Sequence, residues 1–310
     1  MGRRKKRQDW QSKLVFSILF LIAVIGGYVY QTQFHNNKPT SVARQNVSDE
    51  IQIQQEGLNV IYFDVGQADC ELLISQGKTM LIDAGNQADG ILIADTLKQL
   101  QINKIDYLIG THPHEDHIGG MKTIVEQFEI GTIYMPYQTQ VISKVYTNLT
   151  QAILEKDLQV ETVEVGDQFQ VGEANCEVMA VDNTEPENLN LSSIVIQANF
   201  KNKKYLFMGD SETKNEKARA WEKVNVLKVG HHGSDTSSSE QFLKQVSPDI
   251  AIISVGKDNQ YHLPKETILK RIQNLGSTIY RTDQDGTIQI TTDGTTDQIT
   301  KIKLSLDGDK

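Results

Sequence analysis

The sequence predicts an α/β sandwich over residues 58–310, with mixed sheets between helical layers and one membrane-spanning segment ahead of it. Three observations predict this. From Leu58 onward, short β-rich runs alternate with stretches of helical spacing. Histidines and aspartates recur directly after those runs, where chains turn. Residues 14–30 are uncharged and apolar on every face.

The elements follow in order. "RRKKRQDW" precedes "LVFSILFLIAVIGGYVY", Leu14 to Tyr30, 17 uncharged residues, at the short end of what spans a hydrocarbon core. The basic flank places residues 1–13 on the cytoplasmic side and all that follows outside, with Tyr28 and Tyr30 at the far interface. The rival reading is a cleaved signal peptide, with "SVA" at 41–43 as its site. The uncleaved anchor is preferred because the run exceeds a usual signal core and "SVA" lies well beyond it. Residues 31–57 are polar and read as a tether lifting the domain off the membrane.

From Leu58, "LNVIYFDVG", "CELLIS" and "KTMLIDAG" read as strands, the last two joined by a turn at Gln76–Gly77. "ADGILIADTLKQLQ" reads as a helix, "IDYLIG" as a strand, "IGGMKTIVEQF" as a helix, "IGTIYMP" as a strand and Tyr146–Lys156 as a helix. "CEVMAV", "SSIVIQANF", "KKYLFMGD" and "VNVLKVG" read as strands. "SSSEQFLKQV" is a helix, "DIAIISVG" a strand and "PKETILKRIQNLG" a helix opening with Pro and stopping at Gly. "STIYRT", "GTIQIT" and "TKIKLS" close the chain as strands.

Net charge is −9, but residues 1–13 carry six basic side chains against Asp9, which leaves the other 297 residues at −14. An acidic body argues against a broad nucleic-acid footprint, though not against a small anionic substrate held by metal. Cys70 and Cys176 are too few and too far apart for a disulfide framework or a CxxC site, and read as buried small hydrophobes.

The chemistry concentrates in "THPHEDHIGG", Thr111 to Gly120. Residues two apart on an extended chain face the same way, so His112 and His114 can grip one divalent ion. Asp116 and His117 lie just beyond and can serve a second. Imidazole and carboxylate suit zinc or manganese where open coordination positions are needed. Glu115, between ligands, is expected to face away. Gly119 and Gly120 let the backbone come close. Asp210 in "YLFMGDSE" can bridge two ions, with helix capping as its bland alternative. His231 and His232 in "VGHHGSD" and His262 in "QYHLP" offer further ligands. His35 falls in the tether and has no role.

Together, HxHxDH, GD and HHGS in this order resemble the metallo-β-lactamase fold superfamily. "FDVGQADCELLIS", "MLIDAG" and "SVGKDNQYHLP" are similar to the soluble domain of the competence protein ComEC and its relatives, a branch that includes phosphorylcholine esterases. The resemblance runs from about Leu58 to Ile290. It implies an αββα sandwich with the site at the sheet edges. His112 and His114 then bind one ion, Asp116 and His117 the other, Asp210 bridges and His232 completes a site, while His231 contacts substrate or metal. Asp64, Asp69 and Asp83 line or support the site. One departure stands out: no histidine lies between His117 and His231, where many superfamily hydrolases have a ligand. Asn190 or Ser192 in "NLNLSS", or His262, is expected in its place, with one of the two ions weakly bound.

The expected function is metal-assisted hydrolysis of a phosphodiester outside the cytoplasm, by a membrane-anchored, single-pass protein with no evident protein partner. Asp116 or Asp210 would orient the attacking water, and His231 would stabilise developing negative charge. A cell-surface polymer or small ester is the first substrate and DNA, by the ComEC resemblance, the alternative. A non-catalytic binding module with a degenerate site is the rival of another class.

Overall fold

Two mixed β-sheets pack face to face, and each covers its outer face with helices. The computed structural model describes residues 44–48, 50–137 and 143–304. The basic tail, the expected anchor at 14–30 and most of the tether lie outside the described residues. Among those described, no helix is long and apolar enough to cross a membrane.

The first sheet contains β1 (Arg44–Ser48), β2 (Leu58–Tyr62), β3 (Glu71–Ser75), β4 (Lys78–Ile82), β5 (Lys104–Ile109), β6 (Glu129–Tyr134) and β7 (Val160–Glu161), with β15 (Thr287–Thr292) and β16 (Asp297–Ile302). Its order is β1-β16-β15-β2-β3-β4-β5-β6-β7. The second contains β8 (Gln168–Val171), β9 (Ala174–Ala180), β10 (Val195–Phe200), β11 (Lys203–Phe207), β12 (Val226–Lys228), β13 (Ile250–Ile253) and β14 (Thr278–Arg281), in the order β14-β13-β12-β11-β10-β9-β8.

Alternation along β2 sets the layers. Val60 and Tyr62 point into the core between the sheets, while Ile61 and the following Phe63 point outward to helices. Tyr62 stacks on Phe207 across the sheets, ring centres 6.1 Å apart. The outer face of the first sheet is covered by α1 (Gly90–Gln99), α3 (Met121–Gln127) and α4 (Lys144–Glu155). Between α1 and α3 lies the single turn α2 (Glu115–Ile118). The second sheet is covered by α6 (Glu240–Val246) and α7 (Glu266–Asn274), with Trp221 wedged against Phe242. Short α5 (Thr213–Lys217) and α8 (Thr282–Asp285) complete the helices among the described residues.

Each sheet joins an antiparallel run to a parallel one, and in the first sheet β1 adds a further parallel pair at the far edge. Strands β4 to β7 run parallel, as do β11 to β14. Parallel neighbours require crossover connections, which the helices supply. Loops that could carry a site therefore gather at the carboxyl ends of these strands.

Two expectations need correction. The tether does not extend to residue 57: within it, β1 pairs in parallel with β16, and Ile51 and Ile53 pack on the outer core of the first sheet. Pro264 does not begin α7, which starts at Glu266 after Lys265. The turn expected at Gln76–Gly77 is present, with both residues at positive φ, 48° and 72°. That conformation matches the right-handed twist of the β3–β4 hairpin. Both cysteines are buried free thiols, and burial pushes Cys176 up to about 12.

Candidate metal centre

Four strand ends converge. Asp83 follows β4, Thr111–His117 follow β5, Asp210 follows β11 and His231–His232 follow β12. Backbone hydrogen bonds tie these loops together. Asp69 N donates to Asp116 O at 3.1 Å, Ala84 N to His117 O at 2.7 Å, and Ile194 N to Thr111 O at 3.0 Å. His231 N donates to Gly209 O at 2.9 Å. His231 and His232 both hold left-handed backbone, φ 50° and 52°. That conformation costs non-glycine residues on the order of 1–3 kcal/mol each and collects at functional sites.

Among the described residues three side-chain groups could hold an ion; one, Asp69, Asp83 and His117, is fully buried, and the other two share Asp210. Asp116, His117, Asp210 and His232 make the first of these two, and His112, His114 and Asp210 the second. In the first, His117 Nε2 lies 3.8 Å from Asp116 Oδ2 and 3.3 Å from Asp210 Oδ1. His232 Nε2 lies 3.3 Å from Asp116 Oδ2 and 3.6 Å from Asp210 Oδ1. Tetrahedral ligands around zinc sit roughly 3.3–3.6 Å from one another, given its bond lengths. In the second, His112 Nε2 is 3.0 Å from His114 Nδ1 and 3.9 Å from Asp210 Oδ2. Asp210 thus presents one carboxylate oxygen to each group.

The donors also fit a cation by their lack of other partners. His117 Nε2, His232 Nε2 and Asp210 Oδ1 are buried and make no hydrogen bond. An unsatisfied buried polar atom costs about 1–3 kcal/mol, and three converging on one point call for a ligand.

A supporting layer fixes the ring orientations. His117 Nδ1 lies 2.7 Å from Asp83 Oδ2, and Asp83 also accepts from Thr111 N and Thr111 Oγ1 at 2.8 and 2.7 Å. His232 Nδ1 lies 2.9 Å from the carbonyl of Ser254, to which it donates, and 3.3 Å from Asp69 Oδ1. Each contact holds the proton on Nδ1 and frees Nε2 for coordination. Asp69 is itself held by the fully buried Lys228, Nζ to Oδ2 2.6 Å. Ser193 Oγ lies 3.3 Å from His112 Nδ1 and accepts from Asp210 N at 3.1 Å.

The electrostatics match this arrangement. Burial works against charge on His232, but Asp210 and Asp69 outweigh it and raise the imidazole to about 10. His117 is likewise raised, against burial, by Asp210 and Asp83. His112 is lowered, first by burial and then by His117, and burial lowers His114. Burial alone would raise Asp116, yet His117 beside it brings it down to about 2. Without a cation, protons on His117 and His232 neutralise the carboxylates; a bound metal must displace them. Metal binding is therefore expected to release about two protons near neutral pH. Affinity should rise with pH while the metal-free His232 remains protonated, below about 10, and fall in acid. Calorimetry in buffers of different ionisation enthalpy reads the proton count, and binding without proton release would contradict it.

The structure brings together His112, His114, Asp116, His117, Asp210 and His232 as read from sequence, and places Asp83 beneath them. His231 borders the cleft, 23% exposed, with Nε2 3.5 Å from Asp210 Oδ2 and Nδ1 2.9 Å from Thr236 Oγ1. Asn190 lines the cleft, and its buried Oδ1 has no partner. The remaining candidates are placed as follows. Asp64 is exposed and its carboxylate accepts from Gly66 N in its own turn; Gln67 of that turn reaches the cleft instead. Asp69 supports His232 without lining the cleft. Ser192 donates its hydroxyl to Leu189 O at 2.7 Å, and its neighbour Ser193 touches His112. His262 is exposed and outside the cleft lining. Glu115 does not face away: it lines the rim and accepts from Gln87 N at 3.0 Å. His262→Ala is accordingly expected to change hydrolysis by no more than about twofold, the scale of an ordinary surface substitution; a larger loss in steady-state assays would return it to the site.

Thr111, Ser193 and Lys228 were not singled out by sequence. Lys228 left a signal, a lone charge inside an otherwise apolar strand.

Comparison with known proteins agrees with the geometry. The family model of the Metallo-beta-lactamase superfamily matches residues 63–257. ComE operon protein 3 of Bacillus subtilis (strain 168) is 34% identical over 192 residues, 61% of this chain and 25% of that protein. Recombination protein 2 of Haemophilus influenzae is 32% identical over 245 residues, 77% of this chain and 29% of that protein. The chain thus spans between a quarter and a third of the length of these relatives. Among solved structures, CmlA, a diiron beta-hydroxylase from Streptomyces venezuelae, superposes with TM-score 0.52 at 15% identity, over 78% of this chain and 55% of that one. At that identity the likeness extends to the fold alone.

Proposed function

From the premise that the chain belongs to the metallo-β-lactamase superfamily, we propose that it is a metal-dependent hydrolase that cleaves phosphodiesters with a water molecule as nucleophile. The observation that carries this reading is Asp210, whose two oxygens serve the two ligand groups. Two divalent ions held there, zinc or manganese, would acidify a bound water and clamp an anionic phosphoryl group. His112, His114 and Asp210 would hold one, and Asp116, His117, Asp210 and His232 the other. Asp116 or Asp210, both in the cleft lining, would accept a hydrogen bond from the attacking water and so orient it. His231, whose Nδ1 contacts Thr236 Oγ1, would donate to the developing anion. An acidic body takes an anionic substrate at such a centre and not through a basic surface.

A cell-surface polymer or a small ester remains the first substrate reading. DNA is the second, favoured by the competence and recombination names of the relatives. The apolar run at 14–30 supports a membrane anchor with the domain outside the cytoplasm. The test is hydrolysis of bis(p-nitrophenyl) phosphate by the full-length chain with manganese or zinc, alongside metal analysis. Absence of both bound metal and His114-dependent turnover would leave a binding module in place of the enzyme.

A further inference from the structure

The cleft above the ligand groups encloses about 860 Å³, and Glu115, Asp235, Tyr261 and Lys265 are among the side chains that line it. Tyr261 is 56% exposed, a large aromatic side chain that folding leaves uncovered beside the reacting centre. Its loop is nevertheless firmly held. Asn259 Nδ2 donates to Gly256 O at 2.9 Å and Leu263 O at 2.8 Å, and Asn259 Oδ1 accepts from Leu263 N at 3.0 Å. Gly256 N donates to Gln67 Oε1 at 3.1 Å, and Lys265 N donates to Gly233 O at 2.9 Å, directly beside the His231–His232 pair. The backbone that carries Tyr261 is thus tied to the loops of the centre. Lys265 Nζ donates to Tyr261 O at 2.8 Å, which brings an ammonium group next to the Tyr261 backbone.

The geometry points to a subsite in which Tyr261 stacks on a planar ring of the substrate while Lys265 takes an oxygen of the phosphate, so that the phosphodiester is nucleotide-based. This rests on the phosphodiester reading above and makes Tyr261 the residue that sets its preference. A quaternary ammonium such as choline is disfavoured beside Tyr261. It binds in a cage of several aromatic rings, whereas Tyr261 is a single ring with a lysine ammonium beside it.

The test compares thymidine 5′-monophosphate, 2-deoxyribose 5-phosphate and phosphocholine by calorimetry on the manganese-loaded full-length chain. The nucleotide is expected to bind roughly tenfold tighter than the sugar phosphate, the scale of one base on one aromatic ring. Tyr261→Ala should bring that ratio close to one, and Tyr261→Trp should keep it. Equal wild-type affinities, or a ratio that Tyr261→Ala leaves unmoved, would overturn the assignment, as would phosphocholine binding tightest. The two readings fail separately. Hydrolysis of bis(p-nitrophenyl) phosphate can persist when the ratio does not respond to Tyr261. A Tyr261-dependent ratio without hydrolysis would overturn the enzyme reading alone.

Discussion

Asp210→Asn should abolish metal-dependent hydrolysis to within a thousandth of the wild-type rate or less, and should lower bound metal from two ions per chain to one or none. Among the described residues, no other side chain is shared by the His112–His114 group and the Asp116–His117–His232 group. Its Oδ1 faces His117 and His232, and its Oδ2 lies 3.9 Å from His112 and 3.5 Å from His231. Asparagine keeps the shape and loses the charge. The loss should exceed the roughly 10²–10³ typical of a single oxyanion donor, because two sites are damaged at once. The fold should also weaken. Burial opposes charge on Asp210, but His117 and His232 outweigh it and hold the carboxyl well below its ordinary value. Its charge therefore stabilises the metal-free protein above the ordinary carboxylate range, and that contribution fades only as strong acid protonates it. Metal analysis beside steady-state turnover decides the matter. A variant with two ions and near-normal rates would remove Asp210 from the bridging position.

Lys228→Met is the second large expected effect, and it acts on stability. Lys228 is 1% exposed in β12, with Nζ 2.6 Å from Asp69 Oδ2 and 3.9 Å from Glu71 Oε1. Burial and then Asp69 push Glu71 well above its ordinary value, so Asp69 is the principal counter-charge. Methionine fills the volume but strands the Asp69 carboxylate in the interior. Removing one member of a buried pair typically costs about 3–5 kcal/mol. For a domain of this size that lowers the melting temperature on the order of 10 °C. Because Asp69 also contacts His232, metal binding should weaken in the same variant. A melting temperature within a degree or two of wild type would show that the pair adds little.

The six candidate ligands were legible because they sit at strand ends in short, histidine-rich motifs whose spacing has few other uses. What stayed hidden depends on partners far along the chain. "RQNVS" has one apolar residue and reads as tether; it becomes β1 only through β16, some 250 residues later. Asp64 and Asp69 share one turn, and spacing cannot tell which is drawn inward. Lys228, 159 residues from Asp69, decides it. Ser192 and Ser193 differ by a single position, yet one faces its own turn and the other His112. Gly119 and Gly120 were rightly read as places of close approach, but neither has positive φ. A Cβ on Gly120 would lie 2.2 Å from Ala84 O, so the need is for space and not for left-handed backbone.

The division of the ligands between two sheets also bears on how the chain matures. His112 to His117 follow a strand of the first sheet, while Asp210 and His232 follow strands of the second and are made roughly 90 to 120 residues later. A nascent chain that has made only β2 to β7 offers neither complete group. Metal capture then reports that the halves have docked in register. At a free metal concentration of 100 times Kd, mass action adds about 2.7 kcal/mol to that docked state over any partly assembled one.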